Sequence, residues 1–179
     1  MGCQNHPVPP LHPLHPLHLH LLLAVTGQGR DAVYDIVLLA HILSALVGFG
    51  AVVVAGGFAH ALSRSGPDSE PVRRYYRPGV NWAGRVLFLV PVLGVILVAL
   101  SHGEWSYSDG WIMAGLGLWA VAGVGAEMAL WPAERRLQEA VRDGADIDSV
   151  GPDCRAVVAM AAVGFAILVG ASVLMVAKP

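Results

Sequence analysis

His41 lies within "LLAHILSALVGFGAVVVAGGFAH", residues 38–60, a run that carries no Asp, Glu, Lys or Arg. An imidazole can ligate haem iron or a metal, relay a proton, or donate to a backbone carbonyl. In hydrocarbon it needs such a partner, because no water is present to satisfy its ring nitrogens. With the apolar run starting near residue 32, His41 sits about 13 Å below the membrane surface. Ser44, Ala45 and Gly48 follow one and two turns on, so the face carrying His41 is indented and admits a neighbouring helix or a flat ligand. Two readings stand side by side. In one, His41 is the axial ligand of haem b or binds a metal. In the other it is structural and donates to a carbonyl of the kind Pro91 leaves at Leu87, where proline supplies no N–H. At matching depth the other spans offer Leu93, Trp119 and Leu168, none a good metal ligand, and His102 is about 13 Å too high. A second haem ligand would come from another chain, or the iron would be five-coordinate.

Arg85 and Glu127 form the second constellation. Each lies about one turn inside its span at the same end of the molecule, with His60 at a similar level. Pairing the two keeps either charge from meeting lipid alone, and an acid within a span also suggests a proton or ion carrier using Glu127. His102, Glu104 and Asp109 carry metal-compatible atoms on a hydrated loop, without diagnostic ligand spacing. His6, His12, His15, His18 and His20 form a His-Pro-Leu tract that could chelate a transition metal weakly. There is no phosphate loop and no paired-cysteine metal spacing. Cys3 and Cys154 lie in contexts too different for a disulfide framework.

The elements that must position these residues are transmembrane helices. Of the 179 residues 55% are hydrophobic and 13% charged, about half the charge content of soluble domains. Apolar runs at about 32–62, 82–102, 110–131 and 154–177 are each long enough to cross a bilayer, which takes about 20 helical residues. The expected fold is an all-α integral membrane protein, a four-transmembrane-helix bundle over 32–177. Residues 1–31 form a disordered His/Pro-rich N-terminal tail, or are not translated if the start lies near Val25. Arg64, Arg73, Arg74 and Arg77 lie between spans one and two, and Arg135, Arg136 and Arg142 between three and four. Basic loops stay on the cytoplasmic side, which puts both termini outside a plasma membrane. Tyr34, Trp105, Tyr107 and Trp111 then mark the outer boundary, and Trp82 and Trp131 the inner one. The segment after span three, with Leu137, Ala140 and Val141 at helical spacing, reads as an amphipathic connector.

Small residues at spacing four allow close helix approach in lipid, so Ala40, Ser44 and Gly48 in span one, and Ala162, Ala166 and Gly170 in span four, are the expected packing faces. A net charge of −2, with its bases scattered, excludes a nucleic-acid partner. The partners are lipid and, by these faces, a second copy or the subunits of a membrane complex.

"LLAHILSALVGFGA" resembles the first span of an uncharacterised bacterial family of predicted integral membrane proteins, domain of unknown function 2269, and the resemblance extends over the four-span layout. The family's Leu-His-Ile/Val-Leu motif is interrupted here by Ala40 between Leu39 and His41, and its later glycines correspond to Gly48 and Gly50. A similar His-then-Gly span occurs in copper-resistance transporters and in haem-binding oxidases of porphyrin synthesis, which implies a cofactor on His41. The chain departs from those oxidases in having no lysine inside a span and no acidic and aromatic cluster after the first span, so their catalysis is not implied. The resulting expectation is a non-catalytic bundle or accessory subunit, with a haem- or metal-binding protein as the alternative and an ion carrier third.

Overall fold

A computed structural model describes residues 16–177. Four helical stretches are long and apolar enough to cross a membrane: Ala32–Ser65, Trp82–Leu100, Gly110–Asp143 and Asp148–Ala177. The all-α four-span expectation holds, and no strand occurs among the described residues.

Prolines mark where a helix starts and where two spans depart from regular geometry. Helix α1 runs Pro16–Ser65, so it begins inside the segment expected to be a tail; residues 1–15 lie outside the described residues. Proline is tolerated at the first helical position, where its missing N–H would have had no partner, and no proline follows it before residue 67. A short helix α2, Glu70–Tyr75, then covers one end of the bundle. Span two is built from α3, Trp82–Arg85, a 3₁₀ turn at Val86–Phe88, and α4, Leu89–Leu100. The tightened turn lies directly before Pro91, whose ring crowds the carbonyl four residues back. Span three, α5 at Gly110–Gly125, passes through a π turn at Ala126–Leu130 into α6, Trp131–Asp143. Pro132 again stands just beyond the irregular turn and again lacks the N–H that a regular ladder would use. The connector is therefore a continuation of the span, and Gly144, at φ 68°, ends it in the left-handed conformation that glycine adopts without strain. Helix α7 spans Ile147–Ala177.

Helices α1 and α7 form the central pair; span two packs on α1, whereas α5 and α6 pack on α7. Spans two and three approach each other less closely and meet through side chains. Helix α1 buries Phe49, Val52, Ala55, Ala59 and Leu62, against Cys154, Val157, Ala161 and Ile167 of α7. Gly48 lets the 3₁₀ turn approach: a methyl added there would stand 2.7 Å from the Leu87 backbone nitrogen. The indentation beside Ser44 and Gly48 is thus filled by span two, not left for a ligand.

The expected packing face of span four needs correction. Ala162 and Ala166 are exposed, whereas Ala161 and Gly164 are buried, with Gly56 packed on Ala161 and Gly164 facing Val52. Gly170 is half-buried and faces Leu118 of α5. A shift of one residue turns a helix by about 100°. Both faces are made of small side chains, so spacing alone does not select between them.

Candidate functional site

Pro91 decides the local hydrogen bonding of span two. It cannot donate to the Leu87 carbonyl, and that acceptor is taken by the indole of Trp119, with Nε1 at 2.9 Å. His41 reaches the next available acceptor on the same helix, its Nδ1 lying 2.9 Å from the Val90 carbonyl. A carbonyl only accepts, so Nδ1 carries the proton and, in the neutral ring, Nε2 carries the lone pair. Gly94 makes room, since a methyl there would meet the imidazole Cε1 at 3.4 Å. Ser44 donates back to the His41 carbonyl at 2.8 Å. Both His41 and Ser44 are buried.

A cavity of about 380 Å³ opens between spans two and three and α1, on the far side of Trp119 from the Phe88 contact. This lies within the range of about 300–1,000 Å³ typical of small-molecule sites. Span two contributes Pro91 and Gly94, span three Gly115 and Trp119, and α1 contributes His41. Tyr34, Trp105, Tyr107 and Trp111, assigned from sequence to the outer boundary, all line the same cavity. Trp105 and Trp111 meet edge to face at 5.3 Å, and the Tyr107 hydroxyl donates to the Val95 carbonyl at 3.1 Å.

Below Trp119 an aromatic column leads to the opposite end. Phe88 contacts Trp119 at 5.9 Å and Trp131 at 5.7 Å between ring centroids. The Arg85 guanidinium lies 3.7 Å above the Trp131 ring and donates to Glu127 Oε1 at 2.7 Å. Glu127 sits in the π turn and is half exposed. His60 is exposed and does not join this pair. His102, Glu104 and Asp109 stay on the loop after span two, where Asp109 accepts from the Ser106 backbone N–H at 2.9 Å. Among the described residues no three His, Cys, Asp or Glu side chains gather as a metal site.

A polar cluster at the Arg-bearing end has no counterpart in the sequence reading. Glu134 is buried and accepts from the Tyr75 hydroxyl at 3.1 Å and from Asn81 Nδ2 at 3.2 Å. Tyr75 also stacks on Phe58 at 4.2 Å. Burial, followed by the charge of Glu134, pushes the Tyr75 phenol well above its ordinary pKa, and burial does the same to Tyr76. The Tyr76 hydroxyl and Trp131 Nε1 are buried without a hydrogen-bond partner among the described residues. Glu134 and Tyr75 are 59 positions apart, and only the fold of α2 over α6 joins them.

Residues 35–179 match a family model described as predicted integral membrane protein (DUF2269). No curated protein and no solved structure matches the chain.

Proposed function

This chain belongs to the DUF2269 family of predicted integral membrane proteins, and we propose that it acts as a non-catalytic bundle that holds a small apolar molecule between spans two and three. The single observation that carries this reading is the cavity of about 380 Å³ with His41 at its inner end. Proline, glycine and aromatic side chains make it apolar, and one imidazole supplies orientation, the composition expected of a binding pocket. Nothing in it combines a nucleophile, a base and an oxyanion donor. The measurement is mass spectrometry of small molecules that co-purify in mild detergent. Wild-type protein retains one bound species that Gly115→Leu, which fills open cavity space, does not. Identical profiles would overturn the reading.

Haem b on His41 is the second reading, and one specific observation favours it. A ligating histidine is ordinarily oriented by a bond from its other nitrogen to a carbonyl or carboxylate, which is the part Val90 plays here. Protein purified from its native membrane would then show a Soret band, lost in His41→Ala and His41→Gln. A colourless wild type ends this reading.

For localisation we propose a plasma membrane with both termini outside, because the loops carrying Arg64, Arg73, Arg74, Arg77, Arg135, Arg136 and Arg142 are retained on the cytoplasmic side. An accessory role in a membrane complex, or self-association, rests on the outward-facing Ala162 and Ala166 and is tested by crosslinking in membranes; a strictly monomeric particle without partners would count against it.

A further inference from the structure

The inner end of the cavity is chemically one-sided. Its indole donor, Trp119 Nε1, is spent on Leu87, and its imidazole donor, His41 Nδ1, is spent on Val90. The only bond to the His41 ring among the described residues is the one at Nδ1, and the side chain lines the cavity. A positively charged imidazolium at this depth would be costly, so the group presented is the neutral ring's lone pair. We infer that the bound molecule is an alcohol or phenol on an apolar ring body, its single hydroxyl donating to His41 Nε2 and its rings packed among the cavity's aromatic side chains. The inference rests on the cavity-binding reading proposed above. A ketone, quinone or ether at the same place would set an oxygen lone pair against the nitrogen lone pair, with no spare donor at the inner end to relieve it. The ring preference follows from Trp111, Trp119 and Pro91, whose flat apolar surfaces favour stacked or edge-to-face partners.

The test uses the full chain in phosphatidylcholine nanodiscs, equilibrated with 1-hydroxypyrene, 1-methoxypyrene or pyrene-1-carboxaldehyde. Retained probe is quantified by fluorescence, and nanodiscs carrying Gly115→Leu supply the blank for partitioning into lipid. The expected result is saturable uptake of one hydroxypyrene per chain, with the ether and the aldehyde about tenfold weaker, the difference made by one hydrogen bond in a desolvated site. His41→Phe should equalise the three probes. If that variant does not fold, the comparison among probes on wild-type protein still decides. Equal binding of all three overturns the hydroxyl inference and leaves the cavity reading standing. No saturable uptake of any probe above the blank overturns both.

Discussion

The indole N–H of Trp119 lies 2.9 Å from the carbonyl of Leu87, the acceptor that Pro91 leaves without its helical donor. One side chain on span three thereby completes the backbone of span two and closes the inner end of a cavity that the two spans would otherwise leave open.

Removing that donor should cost stability without removing the ring. Trp119→Phe removes the indole donor from the buried Leu87 carbonyl, with an expected loss of about 1 kcal/mol. Pro91→Ala restores a local N–H, so the double variant should lose less than the sum of the two single changes. Thermal unfolding in detergent measures both, and strict additivity would show that the two residues do not share the carbonyl.

His41 and Gly94 make a second coupled pair. His41→Gln keeps an amide donor for Val90, so it should be better tolerated than His41→Ala. Gly94→Leu should displace the imidazole, because even a methyl there would stand 3.4 Å from Cε1. Gly94→Leu should therefore match His41→Ala in lost stability, and a silent Gly94→Leu would place the ring elsewhere.

The packing face of α7 is open to a direct contrast. Gly56→Ala drives a methyl into Ala161 Cβ of α7, where neither helix can yield without moving, and overpacking of this kind costs about 1–3 kcal/mol. Ala162→Leu and Ala166→Leu add bulk on the exposed face and should change the unfolding temperature of the monomer little. Reversed sensitivities would restore the face expected from sequence.

The Tyr75–Glu134 contact ties stability to alkaline pH. Both Tyr75 and Tyr76 have phenol pKa values raised above 10 in the folded protein. Their favourable contribution is complete below the unfolded value of about 10 and is lost as pH rises above it toward the folded values. Phenolate absorbance from Tyr75 and Tyr76, isolated by difference against Tyr75→Phe and Tyr76→Phe, should therefore appear late and together with unfolding. Tyr75→Phe removes a donor to a buried carboxylate and should destabilise by about 1–3 kcal/mol, whereas Tyr76→Phe removes an unpaired buried hydroxyl and should be neutral or stabilising. A Tyr76→Phe variant as damaging as Tyr75→Phe would mean that the hydroxyl has a partner.

Orientation is checked by cysteine accessibility in a Cys3→Ser background, Cys154 being buried. Ser108→Cys should react with an impermeant reagent in intact cells and Asp143→Cys only after lysis. The opposite pattern would invert the bundle.

Hydrophobic run length settled the number of spans in the sequence itself, because a bilayer demands long uncharged helices whatever their neighbours are. His41 was legible as a residue needing a partner for the same reason, and Pro91 as the source of a free carbonyl. Only the tertiary structure decided which donor meets which carbonyl, since Trp119 and His41 compete for acceptors one turn apart on another helix, and sequence spacing carries no information across helices. It also decided the packing face of α7, where small residues occur on both candidate sides, and it gathered Tyr34, Trp105, Tyr107 and Trp111 from a presumed boundary belt into one cavity wall. That wall exists because α1 and α7 form the centre, with span two packed on α1 and span three on α7, an arrangement set by close approach at Gly56 and Gly164 between α1 and α7 and at Gly48 between α1 and span two and not by the hydropathy of any single helix.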